Sequence, residues 1–359
     1  MSVTRTIYNF MPGPVNLHPS VMETFRTTFL SHRSEKFYAD VESLRTRLCK
    51  FVNAEQVAFL VGSGSLANET VAQYLKQLNG KGFILVGGEF GKRLSEQATH
   101  LGLEHEILRF TPGQPFDYDL IESRVVNERP AFVWTVHCET STGVLNDLGR
   151  LKRIAHKGGA KLAVDCISTI ANIDVDLSGV YLASGTSGKG LASFAGIAMV
   201  YFQTEVLDLE VRDLPKYFNL AHHRSTRFVP YTINTNQFYA LEQAFRTTEP
   251  AEHRATIKSL SDYIYKELVD AGLSVLGSYE NMMPGVISLV CPPAVNAFQL
   301  GTLLEENGFY VNYGGAYLRA DNYFQICIMG HQTLENSKLL CDFIKEHVAV
   351  LLKSERIVA

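Results

Sequence analysis

Lys189 stands in Ala183-Ser184-Gly185-Thr186-Ser187-Gly188-Lys189-Gly190, among small residues and between two apolar runs. A lysine in that setting is expected to be desolvated, and desolvation favours the neutral amine that attacks an aldehyde carbon. The segment also invites comparison with the phosphate-binding pattern G-x-x-x-x-G-K-[ST]. It fails at both ends, with Ala183 in place of the first glycine and Gly190 in place of the hydroxyl residue. A second centre is Gly62-Ser63-Gly64-Ser65-Leu66-Ala67-Asn68, which follows the apolar run Val57–Val61. Glycines there let backbone amides approach an anion, and a following helix N-terminus adds unpaired N–H groups and a positive dipole. The same residues satisfy the dinucleotide pattern G-x-G-x-x-G/A, with Glu89 after the next run, and they also suit a tight turn that binds nothing. Asp165 closes the run Lys161–Val164. A carboxylate at a strand end can bond a ligand nitrogen, cap a helix or coordinate a metal, and a loop or capping role is the ordinary one.

Such residues need a scaffold that brings strand ends together. Short apolar runs supply it: Val57–Val61, Phe83–Val86, Ile107–Phe110, Ala131–Val136, Lys161–Val164, Tyr181–Ala183 and Ile197–Phe202. Helical patterns fall between several of them, at Leu66–Leu78, Gly91–Leu101 and Leu148–His156, with others at 18–30 and 40–53. Continuous apolar strands alternating with helices predict an α/β fold with a mostly parallel sheet covered on both faces. Ligands of open α/β sheets sit beyond the carboxyl ends of strands, where Gly64, Asp165 and Lys189 are all expected. After about residue 250 the pattern changes to a helix (253–271), strands near 285–291, 309–313 and 323–328, and a closing helix (334–352). We therefore expect a large domain over 1–250 and a small C-terminal α+β domain over 251–359. The irregular segment 1–17 is expected to pack on the small domain or on a partner subunit.

Bulk properties narrow the function. With 359 residues, 46% hydrophobic and 19% charged, the chain is long and apolar enough to bury a sizeable core. A net charge of −4 gives no reason to expect a nucleic-acid surface, and no apolar run approaches bilayer length. The N-terminus lacks the apolar core of a signal peptide. Six scattered cysteines, with no CxxC pair, argue against a disulfide framework or a metal site and for reduced thiols in a cytoplasmic protein.

Met11-Pro12-Gly13-Pro14, the Gly62-Ser63-Gly64 turn, Val164-Asp165-Cys166-Ile167-Ser168 and a lysine 24 positions after Asp165 resemble the class V aminotransferases, pyridoxal 5'-phosphate (PLP) enzymes of fold type I. Within that class, His32-Arg33-Ser34 and the stretch from His137-Cys138-Glu139-Thr140 to Asn146 are most similar to the 2-aminoethylphosphonate–pyruvate and alanine–glyoxylate (serine–pyruvate) branch. The resemblance runs from about residue 8 to 345. It implies a homodimer with a shared active site and PLP held as a Schiff base on Lys189, which also shuttles a proton between Cα and C4'. It implies that Gly64, Ser65 and Leu66 surround the phosphate through backbone N–H groups. Phe90 would stack on the pyridine ring, Ile167 would pack on its other face, and Thr140 would bond the phenolic oxygen or the aspartate. Asp165 would pair with the pyridine nitrogen, and Thr232, with Tyr231, would complete the phosphate site of a neighbouring subunit.

Three positions depart from the family pattern. Gly188 precedes the lysine where Asn or Gln is usual, and Ala195-Gly196 replaces Pro-Gly. In Phe324-Gln325-Ile326-Cys327, Gln325 occupies the position of the arginine that clamps the substrate carboxylate. A neutral amide forgoes a charge-assisted pair of about 1.5–3 kcal/mol. Substrate binding is therefore expected from Gln325 together with Arg33, Arg319 or His331. The resemblance implies transfer of an amino group from a small amine or amino acid (aminoethylphosphonate-, alanine- or serine-like) to a 2-oxo acid. The alternative keeps PLP and performs lyase or other non-transaminase chemistry on a substrate lacking that carboxylate. Cys327 lies in an apolar strand pattern and Cys166 among small residues, so neither suggests a desulfurase nucleophile. A nicotinamide oxidoreductase would leave Asp165 and Lys189 without a role, and a non-catalytic protein of this fold would not need them.

Overall fold

The computed structural model describes residues 6–26, 30–209, 211, 214–247 and 250–358. The chain begins with β1 (Tyr8–Asn9), α1 (Pro19–Glu23), α2 (Glu35–Val52), β2 (Gln56–Val61), α3 (Gly64–Leu75), β3 (Gly82–Val86), α4 (Glu89–His100) and β4 (His105–Arg109). It continues through α5 (Tyr118–Glu128), β5 (Phe132–Val136), the short hairpin β6 (Cys138–Glu139) and β7 (Val144–Leu145), α6 (Leu148–Gly158), β8 (Lys161–Asp165), β9 (Leu182–Thr186) and β10 (Ile197–Phe202). The remainder is mainly α7 (Leu220–Ser225), α8 (Thr235–Thr247), α9 (Pro250–Asp270), β11 (Ser274–Val275), β12 (Val286–Val290), α10 (Ala297–Glu306), β13 (Phe309–Tyr310), α11 (Ala316–Ala320), β14 (Tyr323–Cys327) and α12 (Leu334–Val358).

Seven strands form one sheet in the order β2-β10-β9-β8-β5-β3-β4. β10 alone runs against its neighbours β2 and β9, while the β9/β8, β8/β5, β5/β3 and β3/β4 pairs are parallel. Every residue of β3, β5, β9 and β10 is buried, which is why these strands read as unbroken apolar or small runs rather than alternating ones. Asp165 pairs in register with Val136 on one side and Ser184 on the other, so β5 and β8 end at one level and β9 runs two residues further, to Thr186. Helix starts are set by side chains at their N-caps: Ser34 for α2, Asp117 for α5, Asp147 for α6 and Asn296 for α10 each accept a bond from a first-turn amide.

A second core gathers Ile257, Ile264, Ile287, Leu300, Phe324, Ile326 and Leu340 around the antiparallel sheet β11-β12-β14. Phe10 is fully buried in it, because β1 pairs in parallel with β13 through Tyr8–Phe309 and Asn9–Tyr310. The irregular N-terminal segment thus contains a strand that two-residue patterning does not reveal. The expected helix at 18–30 is shorter, with α1 followed by a 3-10 turn over Thr24–Arg26; residues 27–29 lie outside the described ones.

In the main core Phe238 meets Phe37, Phe59 and Tyr239 at centroid distances of 5.0, 6.0 and 5.6 Å. Phe238→Ala opens a cavity among rings that cannot collapse into it. It should cost about 3–5 kcal/mol, read as a lower urea midpoint with an unchanged m-value.

Candidate active site

The turn after β2 places Ser63 at the N-cap of α3 without a side-chain cap, leaving the first-turn amides of Gly64 and Ser65 open to a ligand. A Cβ on Gly64 would lie 2.6 Å from Ile167 Cδ1, so only glycine allows this close approach. Leu66 does not join the cradle: its N–H closes the turn onto Ser63 O at 2.9 Å, and its side chain packs toward Gly62.

Asp165 is buried at the end of β8. Its Oδ1 accepts from Ile167 N–H at 2.9 Å and its Oδ2 from Asn68 Nδ2 at 2.7 Å, while Asn68 Oδ1 accepts from Ser184 Oγ at 2.6 Å. Burial raises the Asp165 pKa, against the pull of those donors and of Lys189. Burial conversely lowers the Lys189 pKa, with Cys327 and Asp165 opposing, so the amine is closer to neutral than an exposed lysine. Lys189 Nζ donates to Pro12 O at 2.6 Å, and a Cβ on Gly13 would come within 2.8 Å of it. The N-terminal Pro12-Gly13 turn therefore closes one side of the lysine's setting.

Phe90 is fixed by an acid that the sequence reading left without a role. Glu139 is buried, and its Oε1 and Oε2 accept from Phe90 N–H at 3.1 Å and Gly91 N–H at 2.9 Å. Ser141 Oγ donates to the same carboxylate and accepts from Glu89 N–H at 3.1 Å. A carboxylate from β6 thus caps α4 across the fold, where the helix dipole favours it. Burial nevertheless raises its pKa.

One cavity of about 340 Å3 is lined by Gly64, Ser65, Phe90, Thr140, Asp165, Ile167 and Lys189 together, with Asn68 and Arg93 also in its wall. The other expected site residues lie elsewhere. Gln325 is fully buried: its Nε2 donates to Thr140 O at 2.7 Å, Ser141 O at 3.1 Å and Ser288 Oγ at 2.8 Å, and its Oε1 accepts from Asn312 Nδ2 at 2.7 Å. Every polar atom of that amide is engaged, so the expectation of a substrate contact is corrected to a tie between β14 and the Thr140–Ser141 turn. Arg33 spends its guanidinium on Val229 O at 2.6 Å and Pro230 O at 3.1 Å, outside this cavity. Arg319 lies over the Phe298 ring at 3.8 Å, also outside it. His331 faces His18 edge-on at 5.1 Å in a different cavity. Tyr231 stacks on Tyr217 at 5.1 Å and, with Thr232, borders a separate small pocket.

The two loop departures explain each other. A Cβ on Gly188 would sit 2.8 Å from Cα and Cβ of Ala195, so glycine before the lysine and Ala195 after it are one packing solution.

The chain matches the family described as "Aminotransferase class-V" over residues 7–320, and it belongs to that family. The fold is that of PLP-dependent enzymes of fold type I: an alanine–glyoxylate aminotransferase from Nostoc sp. superposes with a TM-score of 0.89 at 24% identity, covering 96% of this chain and 95% of its own. A 2-aminoethylphosphonate–pyruvate transaminase from Bacteroides fragilis is 25% identical, with 93% of this chain and 97% of its own length aligned. An alanine–glyoxylate aminotransferase from Rattus norvegicus is 21% identical over 93% of this chain and 86% of its own. The chain is thus a class V aminotransferase.

Two predictions follow from the buried polar groups. Gln325→Ala strips the buried Thr140 carbonyl of its side-chain donor and removes one partner each from Ser141 O, Ser288 Oγ and Asn312 Nδ2, and should cost about 2–4 kcal/mol in urea unfolding. Burial also holds His137 at about 4 instead of an ordinary 6.5. Below about pH 6.5 the unfolded chain takes up the proton first, so the stability that His137 contributes above that pH drains away down to about pH 4. Wild type should therefore lose on the order of 3 kcal/mol more than His137→Gln between pH 7 and 4, compared by urea unfolding at both pH values.

Proposed function

We propose that this enzyme moves an amino group from a small amine or amino acid (aminoethylphosphonate-, alanine- or serine-like) to a 2-oxo acid, with PLP attached through Lys189 Nζ. The observation that carries the reading is the joint burial of a lysine amine and an aspartate carboxylate in one cavity with open helix amides at its edge. The residues fit the cofactor. Gly64 and Ser65 amides suit a phosphate, Phe90 and Ile167 suit the ring faces, Thr140 suits the phenolic oxygen, and Asp165 suits a protonated pyridine nitrogen. Bound there, PLP supplies an electron sink for the charge left when a substrate Cα proton departs.

The chain's own groups do the rest. Asp165, held by Asn68 and the Ile167 amide, keeps a negative charge where the ring nitrogen needs one. Lys189 Nζ would hold the cofactor and, when free, would be the base that takes up and gives back the substrate proton. Phe90 and Ile167 exclude water from the ring faces. Tyr231 and Thr232 lie outside the cavity within one chain, which suits a homodimer in which they complete the partner's phosphate site. We assign the large domain to 1–250 and the small one to 251–359, and place the protein in the cytoplasm; no described helix is long and apolar enough to cross a membrane.

A second reading, lyase or other PLP chemistry on a substrate without the usual carboxylate, draws on the fully engaged amide of Gln325. Desulfuration draws nothing from Cys327, whose buried thiol is pushed up to about 12 and stays protonated.

Purified protein given PLP should show a pH-sensitive visible absorbance band that Lys189→Ala abolishes. A colourless protein that ignores added PLP sinks both readings. Conversion of bound PLP to pyridoxamine phosphate on adding an amine, followed by mass spectrometry, selects transfer. Product loss without that conversion selects the lyase.

A further inference from the structure

We propose that Arg93 is the residue that binds the carboxylate of the 2-oxo acid acceptor, and of the amino acid it becomes. The proposal rests on the amino-transfer reading and deepens it. A 2-oxo acid brings a carboxylate into a cavity of about 340 Å3 whose wall already contains the buried acid Asp165. Among the described residues lining that cavity, only Lys189 and Arg93 are cations. Lys189 is committed to the cofactor, which leaves Arg93. The arginines that the sequence offered lie outside the cavity and are spent elsewhere: Arg33 on two backbone carbonyls, and Arg319 on the face of Phe298. The strand position where a clamping arginine is expected holds Gln325, whose amide has no free atom.

Arg93 is built for exchange. It lies on α4 one turn after Phe90, with its guanidinium carbon 4.8 Å from the centre of that ring. Only Nε is bonded among the described residues, to Glu89 Oε1 at 3.2 Å. The side chain is 54% exposed and that of Glu89 27%, so the pair is a solvated one that gives up little when it breaks. The two terminal nitrogens remain for a bidentate carboxylate, the geometry in which arginine outperforms lysine. Glu89 then acts as the resting partner that keeps the guanidinium from swinging into solvent when the site is empty.

Pyruvate tests this directly, because a 2-oxo acid does not react with the aldehyde form of the cofactor and its titration calorimetry reads binding alone. Arg93→Gln should weaken pyruvate binding roughly tenfold to a hundredfold. Its PLP affinity, measured by fluorescence titration of the apoprotein, should be unchanged, and Arg93→Lys should recover part of the loss. Lys92→Gln, which alters a cation lining the neighbouring cavity, should leave pyruvate binding as it is, separating contact from general field. Steady-state kinetics should show a raised KM for the oxo acid with a smaller change in kcat.

Equal pyruvate binding by wild type and Arg93→Gln overturns the proposal. So does a parallel loss of PLP affinity, which would assign Arg93 to the cofactor phosphate, and so does failure of wild type to bind pyruvate or glyoxylate at all. Failure of the amino-transfer reading looks different: pyruvate binding depends on Arg93, yet no amine converts PLP to pyridoxamine phosphate.

Discussion

A carboxylate held in a nearly dry place is the constraint on which this structure turns. Asp165 sits at the end of β8 where desolvation works against its charge, and the fold answers with three elements at once. β9 supplies Ser184, α3 supplies Asn68, and the turn after β8 supplies the Ile167 amide. The bonds run in series, Ser184 to Asn68 to Asp165, so the register of β9 against β8 determines which way the asparagine faces. Removing one donor would leave a buried charge short of a partner, a larger penalty than the bond itself is worth. Lys189, three residues beyond the end of β9, is placed by the same register.

A second buried acid performs a different task. Glu139 spends its oxygens on the amides at the start of α4 and thereby fixes Phe90, the aromatic wall of the cavity. The Thr140–Ser141 turn that follows is held from the other core: Gln325 Nε2 and Tyr323 Oη both donate to its carbonyls. One short turn thus transmits the position of β14 to the wall of the cavity. An arginine at 325 would bring an extra charge into a fully satisfied amide network, which is why this position cannot be converted to the family pattern by one substitution alone.

Much of this was legible in the sequence for physical reasons. Fully buried parallel strands leave continuous apolar runs, and the run Ile197–Phe202 coincides with β10. Glycines at an anion turn and a lysine among small residues are chemical exceptions, so Gly64 and Lys189 stood out. Partner identity was not legible. Asn68 was visible only as part of a turn motif, because its role depends on a serine 116 positions later. Glu139 lies inside a recognised stretch, yet its target amides belong to a helix about 50 positions earlier. The same holds for arginines: Arg33 and Arg319 carry the right charge, but in this chain backbone carbonyls and an aromatic face engage them through tertiary contacts that no local pattern encodes. The strand Tyr8–Asn9 was missed because two residues carry no period.

Moving the anion-binding cation from β14 to α4 changes what substrate binding is mechanically linked to. An arginine on β14 would belong to the smaller sheet, so capturing a carboxylate would draw that sheet toward the cavity. Arg93 belongs to the same helix as Phe90, and α4 packs on β3 and is capped by Glu139 of β6. Capture by Arg93 is therefore local to the large core and leaves the Gln325 tie intact. The consequence is a preformed site, in which binding energy is not spent on closing one core against the other. Specificity must then come from the reach of a flexible arginine at the cavity mouth. A site of that kind holds small acids by charge and leaves the discrimination of their tails to the neighbouring walls.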